Sequence, residues 1–224
     1  MHSTRTLSES ASKALLAEYG IPFAGEELVQ SADEAVHAVE RLGGRCAVKL
    51  CGNNIAHKTE RGLVRLNVGV GDAAAAADSL FAAARATDEV TGVLVAEMVS
   101  GTRELIAGVA RDEQFGPTVM LGVGGVLAEA LADVAVRLVP VTTIDALEMI
   151  ESLELQALLG EFRGEPPVDR NAVAAIIVAL ARIAVERPDV VAVDLNPLVV
   201  RDGRPVGVDA LVEVTAPPTS EDER

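Results

Sequence analysis

The sequence predicts an α+β fold, and two observations support that prediction. Between residues 27 and 99, segments with strand and helix patterns follow one another in the order β-α-β-β-α-β. In the second half, short apolar segments predict more strands, and segments 143–159 and 171–185 predict two helices. Half of the 224 residues are apolar, so the chain can bury a substantial core.

Capping signals place the helices of the first half. The helix predicted at 7–19 ends at Gly20, because glycine readily takes the left-handed conformation that closes a helix. The segment 31–34, Ser-Ala-Asp-Glu, is a capping box that opens a second helix through residue 42. An alanine-rich segment, 72–86, predicts a third helix with Asp72 at its N-cap.

Strands are predicted from apolar alternation and from short buried runs. Residues 46–50 form an apolar strand, and residues 63–68 alternate so that Val64, Leu66 and Val68 are expected on one face. Further strands are predicted at 27–30, 93–99, 103–111, 118–122 and 135–141.

Composition argues against several function classes. There are 34 acidic against 19 basic residues, and the aromatic residues are four Phe and one Tyr, so a nucleic-acid partner is not expected. The longest apolar run, 172–185, contains Arg182 and is too short to cross a bilayer. No secretory signal is visible, and we expect a cytoplasmic protein with no membrane partner. The polar tail, 215–224, is expected to be disordered.

Two cysteines, Cys46 and Cys51, lie close together in sequence. Without further cysteines or suitably spaced histidines this spacing is a weak metal signal. Two idle thiols in a reducing compartment are the favoured interpretation.

One cationic stretch stands out in this acidic chain. Between residues 45 and 65 there are five basic residues and one acidic residue, with His57 among them. That composition suits a ligand with several phosphates. The alternative interpretation is a solvated basic loop. The five basic residues are Arg45, Lys49, Lys58, Arg61 and Arg65.

A predicted hairpin near the C-terminus gathers oxygen-bearing side chains. Asp202-Gly203 favours a two-residue turn, because both central positions of a type I′ turn need positive φ. With this turn, the residue numbers of two facing positions add up to 405. Asn196 is then opposite Asp209, and Asp194 lies on the same face. Such hard oxygen ligands suit Mg²⁺. The alternative is that the two aspartates are solvated at strand ends.

Eight short segments together resemble the ATP-grasp, or β, subunit of ADP-forming acyl-CoA synthetases, which are related to the succinyl-CoA synthetase β chain. The resemblance covers about residues 7–214, and the order and spacing of the segments carry it. They are LLAEYGIP (15–22), AVKL (47–50), IAHKTERG (55–62), VAEMVSGTRELIAG (95–108), DEQFGPTVMLGVGGVLAE (112–129), RLVP (137–140), DLNPL (194–198) and GVDA (207–210).

The resemblance implies an ATP-grasp fold over residues 1–214. That fold has two lobes, each with a mainly antiparallel sheet and flanking helices, and the nucleotide binds between them. The small lobe would span about residues 22–95. The large lobe would combine about residues 1–21 with 96–214.

The same resemblance implies site roles, with ATP or ADP and Mg²⁺ as cofactors. Lys49 would contact the nucleotide phosphates, and Glu104 would reach the ribose or the nucleotide edge. His57 would carry the phosphoryl group. Three residues, Glu97, Met98 and Val99, would form the hinge under adenine. Lys58 and Arg61 would offset phosphate charge, and Asn196 and Asp209, joined by Asp194 from the hairpin register, would hold Mg²⁺.

Histidine suits this role because a neutral imidazole is a competent nucleophile near neutral pH. The implied reaction converts acyl-CoA, ADP and phosphate to carboxylic acid, CoA and ATP, reversibly. A separate CoA-binding α subunit would supply the other half of the relay. Two positions depart from the family pattern: Leu63, where many relatives have a second glycine, and Ala192, where the strand often has an acid.

Alternatives to this function remain open at the level of sequence. One is a stand-alone ATP-grasp ligase or kinase that activates a carboxylate without a partner. Another is a non-catalytic nucleotide-binding regulatory subunit. The glycines of the segment 122–125 could cradle phosphate or could simply turn the chain.

Overall fold

The structure of the chain is a computed structural model, and it describes residues 3–55, 58–125 and 133–216. Three sequence predictions fall outside these residues. They concern His57, the end of the glycine-rich segment from residue 126 to 129, and the last eight residues of the predicted tail, 217–224.

Within the described residues, eleven strands form two sheets. The strands are β1 (Thr4–Thr6), β2 (Glu26–Val29), β3 (Arg45–Gly52), β4 (Val64–Gly69), β5 (Val90–Glu97), β6 (Glu104–Asp112), β7 (Gly116–Val123), β8 (Val134–Leu138), β9 (Val190–Arg201), β10 (Arg204–Gly207) and β11 (Leu211–Thr215).

Six α-helices lie in the same part of the chain. They are α1 (Glu9–Glu18), α2 (Ala32–Arg41), α3 (Ala73–Ala82), α4 (Thr143–Ser152), α5 (Gln156–Leu159) and α6 (Arg170–Glu186). None of these helices is long and apolar enough to cross a membrane.

The small sheet contains four antiparallel strands in the order β2-β5-β3-β4. Helices α2 and α3 pack against one of its faces, where Val48, Leu50, Val93 and Leu80 form part of a buried core. The other face carries Lys49 and looks away from this core. The predicted order β-α-β-β-α-β is confirmed.

The large sheet contains the remaining seven strands. Its order is β1-β11-β9-β6-β7-β8, with β10 paired to β9, and every pairing is antiparallel. Helices α4 and α6 lie against the core of this part of the chain. The first and last strands pair, Thr4 with Thr215, so strand β11 continues one residue into the predicted tail. Two mainly antiparallel sheets with flanking helices confirm the predicted fold class, whereas the lobe boundaries stay a prediction.

The C-terminal hairpin has the predicted turn and register. Asp202 and Gly203 have φ values of 52° and 80°, as a type I′ turn requires. In strand β10, Gly207 pairs with Leu198, and in β11, Leu211 pairs with Asp194. The residue numbers of each pair add up to 405, as predicted. The register therefore holds on both sides of the segment that contains Asp209.

The prediction that Val64, Leu66 and Val68 share one face is wrong. Strand β3 pairs Cys46 with Val68 but Val48 with Arg65, so β4 contains a bulge between them. Asn67 lies in this bulge with φ of 59°. The extra residue reverses the side-chain alternation, which buries Val68 in the small core and leaves Val64 and Leu66 on the opposite face.

Two predicted helices end early. Helix α4 stops at Ser152 rather than near residue 159, because the buried carboxylate of Asp133 accepts the N–H groups of Glu154 and Leu155 and holds the chain in a turn. Helix α3 ends at Ala82, where the prediction extended to residue 86. Neither change affects the strands that carry the predicted site residues.

Candidate functional site

A cleft of about 360 Å³ lies between the two sheets. Its walls come from strands β3, β4 and β5 of the small sheet and from β6, β9 and the β10–β11 connection of the large sheet. Six of the predicted site residues line it: Lys49, Glu97, Met98, Val99, Glu104 and Asp209. The structure thus brings together side chains that are up to 160 positions apart in the sequence.

One part of the cleft is apolar. Val64 and Leu66 enter it from the small sheet, and Pro197 and Val199 face them from β9. Leu66 is 65% exposed, so its apolar surface is available to a ligand in the cleft. A flat apolar slot with polar groups at its edge has the character of a site for a planar heterocycle.

The segment predicted to form the hinge, Glu97 to Val99, also lines this cleft. Strand β5 ends at Glu97, whose N–H donates to the Gly25 carbonyl at 2.8 Å and whose carboxylate pairs with Arg201 at 2.6 Å. The Val99 N–H has no acceptor within the described residues. The side chain of Glu97 is therefore a brace between the sheets, and the free hydrogen-bonding capacity of the hinge lies on its backbone.

Two lysines meet at the polar end of the cleft. The Lys49 ammonium donates to Glu9 at 2.7 Å and to the Val208 carbonyl at 2.9 Å. The Lys58 ammonium contacts the other oxygen of Glu9 and donates to Asp209 at 3.1 Å. The two side chains are 8% and 10% exposed, so their charges are almost completely desolvated.

Glu9 is the common partner of these lysines. Its side chain is 2% exposed and also pairs with Lys13 at 2.8 Å. Burial alone would raise the pKa of Glu9, but the ammonium groups of Lys49, Lys58 and Lys13 outweigh it and hold the pKa far below the ordinary value. The same contacts raise the pKa of Lys58 against the opposing effect of its burial. Glu9, Lys13 and Lys58 are therefore charged at neutral pH.

Of the predicted metal ligands, Asp209 lines the cleft and contacts Lys58, whereas Asp194 and Asn196 are not among the described residues that line it. Asp194 and Asn196 lie on β9, and Asp209 lies in the connection between β10 and β11. Within the described residues the Asp194 side chain has no ion pair. Withdrawal from solvent and the nearby charge of Asp209 both raise the pKa of Asp194. A divalent cation would relieve this repulsion.

The donor set fits magnesium in its chemistry. Two carboxylates and one amide offer oxygen ligands, and Mg²⁺ is held by one or two carboxylates together with phosphates and water. No group of three or more His, Cys, Asp or Glu side chains with metal-binding geometry occurs among the described residues. A magnesium ion here would thus depend on the phosphates of a ligand for the rest of its coordination.

The sequence model of the ATP-grasp domain matches residues 2–214. The chain belongs to the ATP-grasp family. The fold and the cleft between two sheets agree with that assignment.

Three relatives show which ATP-grasp proteins this chain is similar to in sequence and structure. Over 210 residues it is 36% identical to the acetate–CoA ligase [ADP-forming] I subunit beta of Pyrococcus furiosus, covering 92% of this chain and 90% of that subunit. It is also 36% identical to the acetate–CoA ligase [ADP-forming] I of Archaeoglobus fulgidus, covering 82% of this chain but only 27% of the relative.

The third relative has a solved structure. It is the dinucleotide-forming acetyl-coenzyme A synthetase 1 of Ca. Korarchaeum cryptofilum in complex with coenzyme A and Mg-AMPPCP, with a phosphohistidine segment that points towards the nucleotide-binding site. The TM-score is 0.79 and the identity 32%, covering 93% of this chain and 92% of that one. The ATP-grasp chain described here is thus a homologue of the β subunits of ADP-forming acetate–CoA ligases.

The structure does not bring Arg61 to the cleft. Its guanidinium pairs with both oxygens of Asp88, at 2.9 and 2.8 Å, and Asp88 also accepts the Arg85 N–H. These bonds lower the pKa of Asp88, and the Arg61 side chain is 18% exposed. Arg61 therefore braces the small sheet in this structure, and its predicted contact with phosphate stays a prediction. His57 lies outside the described residues.

The glycine-rich segment approaches the cleft from behind Glu104. A Cβ on Gly124 would lie 3.1 Å from the backbone of Glu104, and Gly125 has φ of 87°. The Gly124 N–H donates to the Glu104 carbonyl at 2.7 Å. Within the described residues these glycines permit close packing against Glu104, which favours the interpretation that they turn the chain.

Sequence reasoning missed Glu9 altogether. The signal was present, because Glu9, Ser12, Lys13 and Leu16 follow helical spacing, and all four are buried on one face of α1. An acid and a lysine on the buried face of a helix need charged partners there. Lys49, the one charge on an apolar strand, was the natural candidate.

Proposed function

We propose that this ATP-grasp chain is the nucleotide-binding β subunit of an ADP-forming acyl-CoA synthetase. In the ATP-forming direction the complete enzyme would convert acyl-CoA, ADP and phosphate to carboxylic acid, CoA and ATP. The observation that carries the proposal is the cleft itself, which Lys49 and Asp209 line beside an apolar slot, with the desolvated Lys58 paired to Asp209.

Each part of the cleft has a role in this proposal. The adenine ring would occupy the slot between Leu66 and Val199 and pair with backbone groups of the hinge at Val99. The phosphates would extend towards Lys49 and Lys58, which supply fixed positive charge in a desolvated site. Glu104 stands at the edge of the slot, where a ribose hydroxyl would lie.

The acidic side chains complete the phosphate end. Asp209, Asp194 and Asn196 would hold Mg²⁺, which would neutralise charge on the phosphate oxygens when bound. Asp209 also contacts Lys58, so the cation and the lysines are positioned by one residue. This arrangement keeps both kinds of positive charge at the same end of the nucleotide.

His57 would be the phosphoryl carrier. In the ATP-forming direction the phosphoramidate bond of phosphorylated His57 breaks while an oxygen of the ADP β-phosphate forms a new bond to phosphorus, and neutral imidazole is the leaving group after protonation. Lys58, the next residue along the chain, lies at the cleft and contacts Asp209. The carrier would receive its phosphoryl group at a separate site.

That separate site would belong to a CoA-binding α subunit. The Pyrococcus furiosus relative is a subunit by name, and the Archaeoglobus fulgidus ligase is a single chain of which the present chain matches 27%. The longer protein therefore contains a large portion that this chain does not match. A partner polypeptide would provide the equivalent portion here.

Reconstitution tests the proposal. The chain is combined with a CoA-binding α subunit, acetyl-CoA, ADP, Mg²⁺ and labelled phosphate, and both ATP formation and acid-labile protein phosphate are measured. The wild type should form ATP and carry label, whereas His57→Ala should lose at least about a thousandfold in rate, as expected for a covalent carrier. His37→Ala is the matched control, because His37 is 67% exposed on α2. Equal label in both variants would contradict the assignment.

A further inference from the structure

Helix α1 carries Glu9, a residue that is outside the family motifs and does not itself line the cleft but contacts both lysines. Glu9 reaches the cleft lysines from α1, a helix that is itself fastened to the large sheet. The Ser12 hydroxyl accepts the Val212 N–H at 3.1 Å, and the Leu7 N–H donates to the Val212 carbonyl at 2.9 Å. The backbone that carries Glu9 is therefore fixed relative to the strands that carry the acidic residues.

The lysines come from the other side. Lys49 is on β3 of the small sheet, and Lys58 follows the segment after β3. One Glu9 oxygen accepts Lys49 at 2.7 Å and Lys13 at 2.8 Å, and the other contacts Lys58. A single carboxylate from the large-sheet side thus fixes both small-sheet lysines.

Counting donors shows what remains for a ligand. A lysine ammonium has three N–H donors. Lys49 uses two of them, on Glu9 and on the Val208 carbonyl, and Lys58 uses two, on Glu9 and on Asp209. Within the described residues, each lysine therefore keeps one donor without a hydrogen bond, and the Lys49 ammonium also lies 3.8 Å from an Asp209 oxygen.

We propose that Glu9 is the positioning residue for the nucleotide phosphates: it holds the Lys49 and Lys58 ammonium groups so that their remaining donors meet the phosphates. This inference rests on the proposed function, because it assumes that a nucleotide occupies the cleft. Glu9 itself is too deeply buried to touch the ligand and acts through the two lysines.

The position of helix α1 argues against a role in which phosphate displaces Glu9 from the lysines. If Glu9 merely occupied the lysines until phosphate displaced it, the carboxylate would have to move away when the ligand arrived. Its helix is tied to β11, and its side chain is 2% exposed, so the carboxylate has no solvated position to move to. The ligand therefore adds to the existing contacts.

Calorimetry tests this inference with Mg-ADP and with adenosine as the two probes. Adenosine reports the apolar slot and the hinge alone, whereas Mg-ADP also reports the phosphate end. For Glu9→Gln we expect about a tenfold loss of Mg-ADP affinity with unchanged adenosine affinity. Glu9→Asp keeps the charge but is one methylene shorter, and we expect about a threefold loss for Mg-ADP.

Glu26→Gln is the matched control. Glu26 pairs with Lys13 at 2.6 Å and, among the described residues, has no direct contact with Lys49 or Lys58. Its loss should lower the melting temperature and leave the ratio of Mg-ADP to adenosine affinity unchanged. A purely structural Glu9 would behave in the same way, so the affinity ratio separates the two roles.

Several results would overturn the inference. An unchanged ratio in both Glu9 variants would show that the lysines need no positioning, and tighter Mg-ADP binding by Glu9→Gln would show that Glu9 competes with phosphate. If Glu9→Gln does not fold, Glu9→Asp decides by the same ratio. A wild type that binds Mg-ADP no better than adenosine would instead contradict the proposed function.

Discussion

The two walls of the cleft differ in charge and in how their charges are satisfied. The small-sheet wall presents Lys49 and Lys58, each already bound to Glu9. On the large-sheet side, Asp209 lines the cleft, is 34% exposed and pairs with Lys58, whereas Asp194 on the same sheet has no ion pair within the described residues. The lysines are therefore paired from two sides, by Glu9 and by Asp209, whereas Asp194 has no compensating charge in the described part of the chain.

This difference shows where the site needs a ligand most. The lysines are compensated without a ligand, because Glu9 and Asp209 together pair with them in a desolvated position. Burial and the like charge of Asp209 raise the pKa of Asp194, and a bound cation would relieve this position. We therefore expect the small-sheet wall to set the affinity for phosphate and the large-sheet wall to set the dependence on Mg²⁺.

The largest expected effect on nucleotide affinity comes from removing the ammonium group of Lys49. Lys49→Met should weaken Mg-ADP binding by about 2–3 kcal/mol, roughly 30- to 150-fold, because a buried charge-assisted contact is lost. Calorimetry on the folded variant measures this. Arg45→Met is the control, because Arg45 is exposed at the start of the same strand. If both variants bind equally well, the small-sheet wall does not hold the phosphates.

A variant outside the cleft sharpens the comparison. Asp88→Asn removes the partner of Arg61, and we expect the free energy of unfolding to fall by about 2 kcal/mol at pH 7 while Mg-ADP affinity stays unchanged. Denaturant unfolding and calorimetry measure the two quantities. If Asp88→Asn lowered the Mg-ADP affinity without lowering the stability, Arg61 would have to contribute to nucleotide binding after all.

The same pair predicts a pH dependence. The Arg61 guanidinium holds the pKa of Asp88 below its ordinary value, so the unfolded state binds the proton more readily. The contribution of Asp88 is therefore complete above its unfolded pKa of about 3.9 and is lost as the pH falls through the lower folded value. The stability difference between wild type and Asp88→Asn should shrink below about pH 4. A difference that grows instead would contradict this sign.

The large-sheet wall is tested through its metal dependence. Asp209→Asn should weaken Mg-ADP binding by about 1.4 kcal/mol, roughly tenfold, and should change the affinity for ADP measured in EDTA much less. Asp202→Asn in the exposed hairpin turn is the matched control. An equal loss with and without magnesium would mean that Asp209 acts only through Lys58.

The smallest effect is expected in the apolar slot. Leu66→Ala should reduce adenosine affinity by about 1 kcal/mol, roughly fivefold, because less apolar surface is buried on binding. Ile144→Ala is the control, since Ile144 is 69% exposed and Leu66 is 65% exposed in the free chain. If Leu66→Ala and Ile144→Ala bound adenosine equally well, the base would not bind in the apolar slot.

Sequence reasoning predicted the parts of this site that depend on local rules. The turn at Asp202-Gly203 fixes its own geometry, and the register that follows from it holds on both sides of Asp209. The hinge lies in the cleft because β5 ends where the apolar run ends. The family motifs supplied the roles, and the structure supplied the cleft in which six of the residues meet.

The parts that were missed depend on tertiary contacts. The bulge at Asn67 has no signal in an alternating segment, yet it decides which face of β4 meets the cleft. Arg61 and Lys58 are three residues apart and similar in charge, but Asp88 and Glu9 draw them in different directions. Partners that are 27 and 49 positions away cannot be chosen from sequence periodicity alone.

Photolabelling with 8-azido-ADP tests the central claim most directly. Another cavity, of about 400 Å³, lies beside Phe162 and Leu158, so the position of the label is informative. The account predicts label on peptides from the cleft, such as the hinge at Met98 or strand β9 near Val199, with protection by Mg-ADP. Protected label on the peptide that contains Phe162, with none in the cleft, would contradict it.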